Sequence, residues 1–159
     1  MIRKANTEDF DQIWSFFEDI IRRGDTYAYP IDMDKQAAFH VWMEAPRETY
    51  VFEDQGQIIG SYYIKTNQQG PGAHVCNCGY IVSWEARGKG VATQMCEHSQ
   101  QQAKHLGYLA MQFNFVASSN TGAVDLWKRL GFEIVGTLPQ AFRHPKLDLV
   151  DAFVMYKSL

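Results

Sequence analysis

Hydrophobic residues recur at two different periods along this chain, and the places where the period changes mark its elements. Residues 1–6 (MIRKAN) predict a short edge strand. Thr7 then stands as an N-cap, with Glu8 and Asp9 in a first turn where negative charge suits the helix dipole. Phe10, Ile13, Trp14, Phe17, Ile20 and Ile21 follow on one helical stripe that ends at Gly24, which predicts a helix laid against a sheet. Residues 24–33, GDTYAYPIDM, are turn-rich, and Asp34 caps a second helix expected to run to about Glu44, before Pro46.

From Glu48 the period becomes two. ETYVFED and IIGSYYIKT, separated by the polar DQGQ, predict a hairpin. NQQGPG is a further turn, and HVCNCGYIVS is expected to be the longest strand. A helix carrying Val91, Ala92, Met95, Cys96, Ser99, Ala103 and Leu106 comes next, then a strand over 108–117. Strand, helix and strand in that order imply a parallel, right-handed crossover. SSNTGAVDLWKRLGF gives a capped helix with Ala123, Leu126, Trp127 and Leu130 inward and Gly131 at its end. Two strands, 133–138 and 149–157, are expected to close the chain around a loop, PQAFRHPKLD.

Composition sets outer limits on this picture. At 159 residues and 46% hydrophobic, the chain suits one core, and residues 1–159 are expected to form one domain. A net charge of −3 with scattered basic residues gives nucleic-acid binding little support. No apolar run approaches the ~20 residues of a membrane span, and MIRKANTEDF has no apolar signal core, so a cytoplasmic protein without a membrane partner is expected. Three cysteines argue for reduced thiols. His74, Cys76 and Cys78 alternate along one strand, but zinc ligands usually come from turns and no second cluster exists, so packing residues and no metal are expected. An aromatic content of 14% leaves room for a homodimer interface.

Chemistry concentrates between Tyr80 and Ala92, in YIVSWEARGKGVA, where a strand end meets a glycine turn and a helix start. Gly88 and Gly90 allow backbone N–H groups to turn towards a ligand, and the helix adds its unpaired donors and positive dipole end. Such a turn is a phosphate cradle. A Walker loop fails here, because Lys89 lies between the glycines and no Ser or Thr follows it at the required place. A dinucleotide fingerprint would need glycine at Thr93 and an acid ~20 residues on, yet no Asp or Glu occurs between Glu97 and Asp125.

What remains is R-x-x-G-x-A at Arg87, Gly90 and Ala92, together with N-x-x-A-x-x-L-W-x-x-x-G-F at Asn120, Ala123, Leu126, Trp127, Gly131 and Phe132. These two motifs, in this order, resemble the GNAT superfamily of N-acetyltransferases over essentially the whole chain. The resemblance implies an α/β GNAT fold: a mixed, mostly antiparallel sheet of about seven strands with a splayed parallel pair, flanked by about four helices. It implies acetyl-CoA as co-substrate, with its pyrophosphate on Arg87, Gly88, Lys89, Gly90, Val91, Ala92 and Thr93. It also implies a backbone donor at Val82 for the thioester carbonyl, where a fixed N–H is worth roughly 3 kcal/mol of barrier. Asn120 would meet the pantetheine arm, or serve as a plain helix cap.

At position 127 the family usually carries a tyrosine that protonates the leaving thiolate. An indole N–H donates a hydrogen bond but is no acid near neutral pH, so Trp127 can at best stabilise that thiolate. Asn77 and Asn114 stand out on the two strands expected to flank the cleft, either as groups that orient an amine acceptor or as amides satisfied by neighbouring backbone. Tyr27 and Tyr29 read as a substrate lip or as a loop packed by its own aromatics. His144, Asp151 and Asp25 are the candidate bases, His144 also reading as a solvated loop residue. Local patterns resemble the branch that acetylates small amino acids and cyclic analogues such as azetidine-2-carboxylate. Two other activities stay open: acetylation of a protein or peptide amine, and a non-catalytic acyl-CoA sensor, which Trp127 makes thinkable.

Overall fold

The computed structural model describes residues 1–159, and one seven-stranded sheet runs through it in the order β1-β2-β3-β4-β5-β7-β6. β1 (Ile2–Lys4), β2 (Glu48–Asp54), β3 (Gln57–Thr66) and β4 (Val75–Val82) pair antiparallel in sequence. β5 (Ala110–Ala117) is parallel to β4, and β6 (Glu133–His144) and β7 (Asp148–Ser158) form a closing hairpin whose inner strand, β7, pairs with β5. This is the mixed, mostly antiparallel sheet with one parallel pair that the motifs implied. No helix is long and apolar enough to cross a membrane.

α1 (Phe10–Arg23) buries Phe10, Ile13, Phe16, Phe17, Ile20 and Ile21 against one face of the sheet. Each such apolar side chain contributes roughly 1.5–3 kcal/mol when fully removed from water. Its entry differs in detail from the expected Thr7 cap. Asn6 closes a capping box with Asp9, each side chain bonding the other's backbone N–H, and a short 3₁₀ turn leads into the helix. Gly24 ends it at φ 62°, the left-handed position that glycine adopts without strain.

The second helix is shorter and wider than its pattern implied. α2 (Lys35–Phe39), capped by Asp34, opens into a π-turn over His40–Glu44, where Ala45 N–H reaches back five residues to the His40 carbonyl. The wide turn carries Trp42 fully into the core, where its indole N–H donates to Ser61 at 2.9 Å. On the opposite face, α3 (Val91–His105) covers β3 and β4, and α4 (Thr121–Arg129), where Val124 is buried as well as Trp127, lies over β4 and β5.

Two strand expectations need correction. The segment PQAFRHPKLD is not a loop: strand runs through to His144, and only residues 145–147 turn. Pro139 misleads because proline reads as a break, but β6 is the outer edge of the sheet, and a bulge between Leu138 and Phe142 absorbs the missing N–H. Consequently β4, at eight residues, is not the longest strand; β6 has twelve.

Candidate functional site at the β4–β5 split

β4 and β5 pair only at Val75–Ala110 and Cys76–Met111, and beyond that point they part. Asn77 stands at the fork. Its amide nitrogen donates to the Gln112 carbonyl at 2.9 Å and its oxygen accepts from the Tyr63 hydroxyl at 3.2 Å. The side chain is 6% exposed and bonded through both its nitrogen and its oxygen, so it acts as a wedge between the strands. Across the α4 face of the opening, Trp127 bridges the two strands, its ring 5.0 Å from that of Tyr80 on β4 and 5.1 Å from that of Phe113 on β5.

Tyr80 loses its strand partner on the open side and gains a side chain instead. The Tyr27 hydroxyl donates to the Tyr80 carbonyl at 2.9 Å and accepts from the Tyr80 N–H at 2.8 Å. Tyr29 stacks on Tyr27 at 5.3 Å and meets Phe17 edge-on, and burial pushes its phenol up to about 12. The two tyrosines of residues 24–33 are therefore held by their own aromatic neighbours and by β4.

Alternation along β4 fixes the direction of the next free donor. Ser83 N–H bonds the Ile59 carbonyl of β3, while Tyr80 directs its polar groups away from β3. Val82, opposite Gly60 in the register and two residues from Tyr80, shares the outward parity, so its N–H faces the split.

The glycine turn follows directly. Trp84–Ala86 form a 3₁₀ turn, Gly88 and Gly90 take φ 75° and 76°, and Gly90 stands at the N-cap of α3 without any side-chain cap. The amides of Gly88, Gly90, Val91, Ala92 and Thr93 have no acceptor within the chain. A Cβ added at Gly88 would meet nothing within 4 Å, so open space lies in front of the turn. Unpartnered amides, the end of a fifteen-residue helix, and no competing carboxylate in its first turn make a donor set that fits a diphosphate.

Other singled-out residues lie elsewhere or are partly occupied. Asn120 accepts from Ala123 N–H at 3.4 Å, which is the helix-cap alternative, though its amide nitrogen remains free. Asn114 is exposed on β5 and sits in an amide chain between Gln112 and Asn67, at 2.9 and 2.6 Å. His144 accepts from Lys146 and Leu147 N–H at the tip of the β6–β7 hairpin, and Asp151 accepts from Gln140 N–H at the β6 bulge. Asp25 lies beside Arg87 and bonds the Thr26 hydroxyl. Cys76, Cys78 and Cys96 are buried free thiols, and no group of His, Cys, Asp or Glu is spaced to hold a metal.

Contacts that no spacing announced complete the site. A cleft of about 400 Å³ lies between the C-terminal half of α1 and the end of β4, touching Val82. Trp84, 67% exposed, stands at its edge with the Arg87 guanidinium 4.7 Å and the Arg23 guanidinium 5.6 Å from its ring centroid.

Comparison with known proteins agrees with this arrangement. A solved structure of a GCN5-related N-acetyltransferase from Kribbella flavida superimposes with a TM-score of 0.95 at 38% identity, covering 100% of this chain and 97% of that one. N-acetyltransferase aca1 of Schizosaccharomyces pombe is 34% identical over 98 residues, covering 61% of this chain and 47% of the relative. An L-methionine sulfoximine/L-methionine sulfone acetyltransferase of Pseudomonas paraeruginosa is 29% identical over 150 residues, covering 87% and 83%. The chain spans less than half the length of the first curated relatives it matches. Residues 12–132 match the model of the acetyltransferase (GNAT) family, the region that holds the split strands, the glycine turn and Trp127. The chain belongs to the GNAT family.

Proposed function

We propose that this protein transfers the acetyl group of acetyl-CoA to the amine of a small molecule, by direct attack within a ternary complex, with residues 1–159 acting as one acetyltransferase unit. The observation that carries this reading is the set of unpartnered amides at Gly88 and from Gly90 to Thr93, beside the outward N–H of Val82. The first would hold the pyrophosphate and the second the thioester carbonyl. As the amine nitrogen attacks that carbonyl carbon, charge grows on the oxygen, and the Val82 N–H is aimed to meet it. The C–S bond then breaks, CoA leaves as a thiolate, and the amine proton passes to solvent or to a nearby base. Trp127 lines the opening where the family's acid would stand, so the thiolate departs without a matched proton donor at that position.

A small amino-acid acceptor is supported by the Pseudomonas relative, whose alignment runs over most of both chains. Acetyl-CoA-dependent release of free thiol with a panel of amines and amino acids tests the reading. Peptides outcompeting free amino acids would move the acceptor to a protein. Tight CoA binding with no turnover on any amine would favour a sensor, the reading that Trp127 in place of tyrosine keeps in view.

A further inference from the structure

We infer that the cleft between α1 and the end of β4 is a carboxylate site, in which Arg23 holds the acid group of an amino-acid acceptor while its amine faces Val82. The inference rests on the acetyl transfer proposed above and names the acceptor's chemistry.

Arg23 is a cation without an anionic partner. Arg23 forms no salt bridge and no side-chain hydrogen bond, and its Nε is buried without a partner. Arg22 beside it is, by contrast, committed to the Ile31 carbonyl at 2.6 Å and to Glu18 at 3.2 Å. The Arg87 side chain likewise makes no hydrogen bond or ion pair, so two guanidinium groups share the Trp84 ring with no anion joining them. Burial first, and Arg23 second, hold the pKa of Arg87 below its ordinary value, while Asp25 offsets this in part. Asp19 also lines the cleft, but neither it nor Asp25 forms an ion pair with Arg23 or Arg87. Buried donors left unpaired carry a desolvation cost that an incoming anion removes.

The shape of the site narrows that anion. A guanidinium presents a planar fork that matches a carboxylate with two parallel hydrogen bonds. Phe16, Ile20 and Trp84 give the same cleft apolar walls for a side chain. The cleft also touches Val82, whose N–H is aimed at the split. An amino acid carries all three features: an acid group, an apolar side chain and an amine one carbon from the acid. A CoA phosphate is the other source of an anion, but the amides of Gly88 and of Gly90 to Thr93 already offer the diphosphate its donors.

Calorimetry on the CoA-bound protein tests this, using L-methionine sulfone, L-leucine and L-proline, each against its carboxamide. In the unsubstituted protein at least one acid is expected to bind about tenfold or more tightly than its amide, the scale of one charge-assisted pair. Arg23→Gln should bring that ratio to about twofold or less while CoA affinity stays within about twofold. Equal binding of acids and amides, or a preference that survives Arg23→Gln, overturns the assignment. A large loss of CoA affinity in Arg23→Gln also overturns it and gives the anion to a CoA phosphate. If the glutamine variant does not fold, Arg23→Lys keeps the charge without the fork; about fivefold weaker acid binding is then expected, and no weakening overturns the assignment. Loss of the acetyl-transfer reading would show separately, as absent thiol release, and leaves this binding ratio measurable.

Discussion

The Tyr27 hydroxyl spans both backbone groups of Tyr80, donating to the carbonyl at 2.9 Å and accepting from the amide at 2.8 Å. A side chain from the α1–α2 connection thus stands where the missing length of strand pairing would be, on the side of β4 that opens towards β5. The fork below is closed by Asn77 and the opening is kept by Tyr27. Tyr27→Phe removes both bonds and leaves two backbone groups exposed to whatever water reaches them. Stability should fall by about 1–3 kcal/mol, read as a drop of several degrees in thermal midpoint. An unchanged midpoint would show that water replaces the hydroxyl fully.

The glycine turn makes a separate claim about ligand binding. Gly88→Ala and Gly90→Ala place a side chain at φ 75° and 76°, which costs roughly 1–2 kcal/mol of backbone strain per residue. No backbone crowds either position, so the strain itself is the disturbance. CoA affinity measured by calorimetry should drop about tenfold or more, because relief of that strain moves the unpartnered amides of the turn. Wild-type affinity in both variants would place the pyrophosphate elsewhere.

Trp127 serves packing and the cleft at once. Its ring is 8% exposed and touches Tyr80 and Phe113 across the split, so Trp127→Ala should cost about 3–5 kcal/mol of stability. Trp127→Tyr keeps an aromatic there and restores a phenol as acid. Turnover should rise, by up to about 10²-fold, with CoA affinity little changed. A variant that folds and binds CoA but gains no turnover would remove protonation of the thiolate as the limiting step.

His98 adds a pH term to stability. Burial lowers its pKa below the ordinary 6.5, and the Tyr62 hydroxyl lies 2.6 Å from Nδ1, a bond in which the neutral ring can accept. A base whose folded pKa is depressed contributes stability that is full above the unfolded pKa and is lost as pH falls through the folded one. Denaturant unfolding from pH 7 downward should therefore show a loss beginning near pH 6.5 that His98→Gln flattens. Identical pH profiles for both proteins would remove His98 from the account.

Much of this was legible because local pattern and motif spacing agree. Gly88, Gly90 and the helix start at Val91 announce a cradle through φ freedom and dipole, both of which are properties of adjacent residues. Asn77 was legible as an anomaly but not as a wedge, since its partners Tyr63 and Gln112 belong to two other strands. Tyr27 acts across 53 residues, and the Arg23–Trp84–Arg87 stack joins a helix end to a turn, so no periodicity marks either. The β6–β7 hairpin was hidden by Pro139, whose missing N–H is tolerated only because that strand is a sheet edge with a bulge.

The most direct test of the central claim is a thiol-release assay: purified protein, acetyl-CoA, and a panel of small amines and amino acids. Acetyl transfer predicts release of free CoA that depends on both the protein and at least one small amine, with the acetylated amine formed in equal amount. Absence of CoA binding by calorimetry, or tight CoA binding with no thiol released on any amine, would contradict it.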